Sequence, residues 1–585
     1  MRVPRDAMNV KLSEICARYD LAYWIWTPAV FDLNEAGRRA EELQKHEAFY
    51  RACPRLDAVF FPGGDPGHNP PELVLPFLED IAAILAKHHP KAKVWLSLQW
   101  FNREQCMQIL HYLEEKERDW FGGLVAGPSS PPIPLTRKLL PECYQLRHYP
   151  DITHTVRCQY ETPWWDQAFA LTLGREPCNP QPAFYALIHN WLAPYTNGFI
   201  TYSDGVHDDV NKTVWSRRGW DPGADVREIL IEYARLFFGP DVAENAADGI
   251  LALEKNWEGP LALNGGVDAT LALWRQLEAR APELADNWRW QLCLLRANYD
   301  AYTRRRLIYE QRLEAEANRV LAHAGPMGAD AAMDAVLEVL NRAETEPCRP
   351  ETRARVAALC EALFQSVGLQ TSVEKYHASG AERGAILDFL DYPLNNRWWL
   401  EDEFARIRGL DSEAEKLARL ELIRTWENPG PGSFYDDVGN IAKSPHVLRA
   451  GALNTYPQVS RDPGPGFWWW DEGCSRRRLS WQCSMEWPRA MRYENLDPDA
   501  DYVVRMTGCG EALTRMNGER VEPALYGKDI GEFKEFPVPK DLIKDGVLEL
   551  TWDVPDEAHL NWRQQSRVTE VWLLKQPVAL PAAGL

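Results

Sequence analysis

Along residues 1–224, short apolar runs alternate with longer stretches in which apolar residues recur every three to four positions. The runs at 21–26, 58–61, 94–98, 123–126, 152–156 and 199–202 are rich in aromatic and β-branched residues and read as strands, several of them buried on both faces. Between them, 71–88 and 104–117 have the spacing of amphipathic helices. Strand, helix, strand in regular alternation predicts parallel strands joined by right-handed crossovers. Each run also ends in a polar or aromatic group: Trp26-Thr27, Gly64-Asp65, Gln99-Trp100, Ser129-Ser130, Arg157-Cys158-Gln159 and Ser203-Asp204. Six such endings predict an α/β fold of the (β/α) TIM-barrel type with its site on the carboxyl face. A doubly wound sheet is the alternative, but it would gather these groups at one switch point, and the chain has no glycine-rich phosphate fingerprint. Six strands fall short of eight, so the expectation is a barrel whose first two units are missing, or an incomplete sheet.

From 225 to 427 the period is helical throughout, with many charges and few β-branched runs. DYPLNNRWWLED at 391–402 interrupts it and reads as a loop, either reaching over the barrel mouth or joining two helices. NPGPG at 428–432 is a linker. Beyond it, alternating runs at 502–507, 533–538, 547–552 and 568–574 predict a β-sandwich. The domain expectation is therefore a barrel at 1–224, a helical domain at 225–427 and a sandwich at 434–585, the last binding carbohydrate or packing against the helices.

A net charge of -20 without a basic stripe argues against nucleic acid and anionic membrane surfaces as partners. No run has the length of a membrane span, and the start lacks an apolar leader, which implies a cytoplasmic location as written. If the first units are missing, an export signal is missing with them and a periplasmic or secreted location follows. The 12 cysteines are scattered, as expected of reduced thiols rather than a zinc site, and no cofactor or metal is expected. The 25 tryptophans stand out, among them Trp164-Trp165, Trp398-Trp399 and Trp468-Trp469-Trp470 in polar surroundings. Flat rings beside hydrogen-bonding groups suit sugar rings, although core packing uses such residues equally well.

Three clusters can carry chemistry. Asp65 and His68 follow the run at 58–61 after a Pro62-Gly63-Gly64 turn. Arg157, Gln159, Glu161 and Asp166 follow the run at 152–156, with Trp165 among them and Arg175-Glu176 just beyond. Ser203, Asp204, His207, Asp208 and Asp209 follow the last run and continue to Asn211, Lys212 and Trp215. Neighbouring carboxylates raise one another's pKa, so that one holds a proton while another stays ionised, which is the division of labour glycosidic cleavage needs. Asp65, Asp204 and Asp208 are the expected catalytic carboxylates. Trp26, His68, Gln99, Arg157, Gln159, Trp165, Asp166, His207 and Trp215 are the expected substrate-binding residues. Asp65, Gln99, Gln159 and Asp204 are expected around one pocket. Asp208 and Asp209 read equally well as loop caps.

PGGD at 62–65 resembles the segment that ends the fourth strand of family-20 β-N-acetylhexosaminidases. That resemblance makes 21–29 the third strand and 199–202 the eighth, and implies that Asp65 orients the substrate's acetamido group. Pro66 stands where that family has its general-acid glutamate. GWDP at 219–222, leading into helices, resembles α-glucuronidases and α-N-acetylglucosaminidases. As a whole the chain resembles bacterial glycoside-hydrolase-like proteins of the same (β/α)8-barrel superfamily. These likenesses imply a glycoside hydrolase acting on an oligo- or polysaccharide. A barrel that binds glycan without cleaving it is the alternative. A divalent-metal hydrolase using Asp65, His68, His207 and Asp208 ranks last, because no HxH or HExxH spacing fixes two ligands on one element. No feature selects a sugar, a linkage or an oligomeric state.

Overall fold

The structure, a computed structural model, describes residues 3–155, 159, 160, 162, 164–203, 205–381, 386–449, 466, 467, 475–485, 488–553 and 566–578. The described residues form two compact units, the first of 3–151 and 188–202, the second of 152–187, 203–553 and 566–578. Among them no helix is long and apolar enough to cross a membrane.

In the first unit five parallel strands, β1 (Trp24–Trp26), β2 (Ala58–Phe61), β3 (Lys93–Ser97), β4 (Phe121–Ala126) and β5 (Gln145–His148), lie side by side in sequence order. Both faces are apolar because successive side chains point to opposite sides. On one face Phe60, Trp95 and Val125 form a core with Trp24 and Tyr149 against it. On the other, Phe61 meets Phe77 edge-on at 6.2 Å, from the helix Pro71–His88. That helix turns Val74, Phe77, Leu78, Ile81 and Leu85 inward, each such burial contributing about 1.5–3 kcal/mol. The helix Arg103–Glu115 starts on a capping box, Asn102 bonding the Gln105 backbone N–H and the Gln105 side chain returning to Asn102. Among the described strands β1 has a neighbour on one side only.

Two strand expectations are corrected. Residues 152–155 are not a strand; the ladder runs earlier, through QLRH at 145–148, whose polar side chains disguise it. Burial of His148, with His189 beside it, lowers its pKa to about 3 and keeps it neutral. The run at 199–202 is a segment joined to the first by two parallel bridges, His148 to Phe199 and Asp151 to Tyr202, rather than a continuous strand.

In the second unit, helices from Val226–Phe237 to Glu413–Thr425 surround the long helix Trp288–Leu321. Trp165, Phe169, Trp257, Trp274 and Trp290 share its core. Beyond the helices lie two antiparallel sheets. One orders Leu525–Tyr526, Phe533–Val538, Tyr502–Cys509, Arg567–Lys575 and Phe434–Asp437, and the other Glu519–Arg520, Thr514–Met516, Leu548–Trp552 and Met491–Tyr493. Val504, Val571 and Leu573 of the first pack with Met491, Leu548 and Leu550 of the second. Fully buried Glu570 locks helix to sheet, accepting from Trp426 Nε1 (2.9 Å), Tyr435 Oη (2.7 Å) and Trp481 Nε1 (2.7 Å).

The expected loop at 391–402 is corrected in its second half: 391–396 joins two helices, one of the two expected readings, but Arg397–Arg408 is a helix. Asn395 bonds the Arg397 backbone N–H, Arg397 pairs with Glu344, and Trp399 is buried. The polar cluster that looked like a surface loop is a helix start held by side chains distant in sequence.

Candidate functional site

The carboxyl edge of the parallel sheet brings four of the expected residues together. Pro62 ends β2, and Gly63 then turns at φ +83°, where a Cβ would lie 2.3 Å from the Ser97 carbonyl oxygen, so only glycine fits. Gly64 N–H donates to the Gln99 carbonyl at 3.0 Å, tying the turn after β2 to the one after β3. Buried Asn69 ties it to the turn after β1, accepting from Leu33 N–H (2.9 Å) and donating to the Phe31 carbonyl (2.9 Å). After β3, Trp100 N–H reaches the Ser129 carbonyl, and Ser97 Oγ lies 3.4 Å from both Gln99 Oε1 and Ser130 Oγ. His68, Trp100 and Ser129 all adopt left-handed backbone, at φ +53°, +61° and +61°. Each costs on the order of 1 kcal/mol and persists only where surrounding contacts impose it, a pattern concentrated at functional sites.

On this stitched rim Asp65 is half-buried, and among the described residues its carboxylate has no hydrogen-bond or ion-pair partner. The His68 ring meets Trp100 edge-on at 6.3 Å. Of the described tryptophans, Trp26, Trp100 and Trp220 alone are exposed, and the first two, at 47% and 50%, stand on this rim. Gln99 is buried beneath it.

The second unit holds a polar cluster of a different kind. His154 Nε2 lies 3.0 Å from Glu176 Oε1, and His207 Nε2 2.8 Å from Thr153 Oγ1, all four side chains buried. Asn211 donates to the Ile152 and Asn179 carbonyls and accepts from Gln181 N–H, while Gln181 donates to Thr162 Oγ1 at 2.8 Å. Asp208 is 1% exposed; its Oδ1 accepts from Ser203 Oγ (3.0 Å) and pairs with Lys212 Nζ (3.0 Å), which holds the turn before the helix Asp209–Trp220. Asp208 Oδ2 is buried with no donor among the described residues. Asp209 is a brace, accepting from Tyr233 Oη (2.9 Å) and Arg289 Nε (2.7 Å).

Three expected ligand contacts are therefore corrected. Trp165, 0% exposed, packs at a tilt against Trp257 at 5.3 Å in the helical core and offers no face to a sugar. Trp215, 1% exposed, packs against Tyr185. Asp166 caps the helix Gln167–Thr172, accepting from Ala168 N–H and Leu261 N–H at 2.9 Å each; burial raises its pKa and those two bonds lower it. Gln159 is in the second unit, and Arg157, Glu161, Asp204 and Trp468-Trp469-Trp470 lie outside the described residues. GWDP at 219–222 ends a helix, Asp221 Oδ1 accepting from Gly223 N–H. Sequence reasoning does not single out His154, Asn179 or Gln181; the signal for the last two is a polar stretch, CNPQ at 178–181, between two apolar helices, and His154 has none.

Among the described residues no three His, Cys, Asp or Glu side chains are grouped to hold a metal ion, and no disulfide joins two described cysteines. Asp65 and His68 belong to one unit, His207 and Asp208 to the other. No protein-family model matches the chain, and no curated protein matches its sequence.

Proposed function

We propose that the chain is a glycoside hydrolase built on a (β/α)-barrel arc, working at the carboxyl edge of β1–β5. The observation that carries this reading is Asp65, a carboxylate without a donor among the described residues, on a rim with the exposed rings of Trp26 and Trp100. Rings of that kind stack on the C–H face of a sugar, and a carboxylate with unused hydrogen-bonding capacity can take a substrate hydroxyl or amide, or assist at the anomeric carbon. The strand order, which follows the sequence with no reversal among the described strands, supports the barrel over a doubly wound sheet. Asp204 is the second carboxylate the reading requires, on the ground of its place after the run at 199–202. Asp208 acts by holding the 203–212 turn through Ser203 and Lys212.

Pro66, at the position of the general acid in the hexosaminidases this turn resembles, favours a second reading in which the rim binds glycan without cleaving it. A screen of nitrophenyl glycosides and natural oligosaccharides separates the two. Turnover that falls by about a hundredfold or more in both Asp65→Asn and Asp204→Asn, with melting temperature kept, supports the hydrolase. Saturable binding without turnover, lost in Trp100→Ala, supports the binding protein. Neither turnover nor binding overturns both.

A further inference from the structure

In the second unit a cleft opens among the helices Trp288–Leu321, Arg397–Arg408 and Glu413–Thr425 and runs in toward the strand Phe434–Asp437. Its outer part has a volume of about 310 Å³ and an apolar wall of Leu321, Val336, Leu340, Leu400 and the Trp399 ring. That volume is at the small end of ligand pockets, which run from roughly 300 to 1,000 Å³. The inner part narrows to about 30 Å³, enough for ordered water, which needs roughly 10–15 Å³. Gln311, Glu314, Asn396, Glu427 and Lys443 line both parts.

The inner end has a surplus of carboxylates: Asp166, Glu314, Glu427 and Asp437 face one ammonium group, that of Lys443. Three of the four are supplied with donors. Asp166 takes two backbone N–H groups, Glu314 takes the Asn396 amide at 3.0 Å, and Glu427 takes Lys443 at 2.8 Å and Arg478 at 2.5 Å. Asp437 has only the Gln167 amide, 3.4 Å from Oδ2. Its Oδ1 and the neighbouring Ser480 Oγ are buried in the same end with no partner among the described residues. A buried oxygen without a donor costs about 1–3 kcal/mol, so a ligand that supplies donors here gains what the free protein lacks.

We propose that this cleft binds a small amphipathic amine, its ammonium group donating to Asp437 Oδ1 and Ser480 Oγ and its apolar body lying on the Leu340–Trp399 wall. An anion is opposed by the carboxylate surplus. A neutral hydroxyl supplies one donor without offsetting charge, whereas an ammonium supplies three donors and a positive charge. Burial holds the Asp437 carboxyl well above its ordinary range; Lys443 and Arg478 oppose that, and Glu570 and Glu427 reinforce it. An ammonium favours the ionised carboxylate and so opposes that upward shift, which makes binding tighten as pH rises.

Phenethylammonium, titrated calorimetrically into the full chain, tests this, with phenethyl alcohol and hydrocinnamate as neutral and anionic controls of the same shape. The amine should bind at least about tenfold more tightly than either control. Its affinity should rise with pH, as a carboxyl held above its ordinary range requires. Asp437→Asn should weaken the amine about tenfold or more while leaving the alcohol unchanged. Ala315→Trp, an exposed position at the outer part, should block all three ligands without touching the carboxylates. The proposal is overturned if neither phenethylammonium nor butylammonium binds saturably, which would leave the inner end to a water molecule. It is overturned equally if amine and alcohol bind alike, or if blocking at Ala315 changes nothing. The site is independent of the sheet rim, so these outcomes do not bear on the hydrolase reading.

Discussion

Asp65 at the sheet rim and four acids of the second unit differ in what the fold has already used. At the sheet rim Asp65 is half-exposed with no donor among the described residues, on a turn whose backbone is held by its neighbours. In the second unit Asp166, Asp209, Glu254 and Asp300 each accept at least two hydrogen bonds, and three of the four are fully buried or nearly so. A carboxylate whose lone pairs are filled by the chain works for stability, and one left empty on a rim is available to a ligand. The difference lies in the donors, since the residue types are the same.

The sharpest way to break that contrast is Asp300→Ala. Asp300 pairs with Arg296 at 2.8 Å and accepts from Asn256 and Trp257, deep in the helical core. Removing it leaves a buried guanidinium uncompensated and should cost about 3–5 kcal/mol in urea unfolding. A cost below about 1 kcal/mol would remove the structural reading of these acids.

Glu254 sharpens it through pH. The carboxylate accepts the Ala183 and Phe184 backbone N–H groups, yet burial dominates and raises its pKa to about 7, from 4.5. A carboxyl whose folded pKa is raised binds protons more readily in the native state. Its contribution is therefore complete below about pH 4.5 and lost as pH rises through about 7, a swing of about 3 kcal/mol. Glu254→Gln, which mimics the protonated form, should flatten the fall in unfolding free energy across that window. An unchanged slope would show that Glu254 does not titrate there.

The rim should respond in the opposite manner. Asp65→Asn should leave the melting temperature where it is and lower turnover on the screened glycan by about a hundredfold, about 3 kcal/mol of barrier. A marked loss of melting temperature with little loss of turnover would make Asp65 structural. Trp100→Ala should raise KM about tenfold, about 1.4 kcal/mol, through lost stacking. Trp220→Ala, at a ring 87% exposed in the second unit, is the control and should change neither turnover nor stability measurably.

Local chemistry made much of the chain legible. The run at 58–61, stopped by Pro62-Gly63-Gly64, is β2 followed by its turn, because an apolar β-branched run and a glycine needed at positive φ are properties of the residues themselves. The same holds for the alternating runs that become Tyr502–Cys509, Phe533–Val538, Leu548–Trp552 and Arg567–Lys575. The placing of Asp65 past a buried strand follows from that reading alone.

What a side chain meets across the fold was decided only in three dimensions. Trp100 and Trp165 both follow polar or aromatic neighbours and look alike in sequence, yet one is 50% exposed on the rim and the other 0% exposed against Trp257. Asn395 to Arg397 read as a loop until Glu344, from another helix, supplies the charge that lets Arg397 be buried in a helix start. QLRH reads as polar until strand pairing and burial silence His148. Periodicity and turn chemistry act over a few residues and are written in the local sequence. Exposure and hydrogen-bond partnership depend on residues up to hundreds of positions away, as between Asp437 and Gln167, and so belong to the tertiary structure.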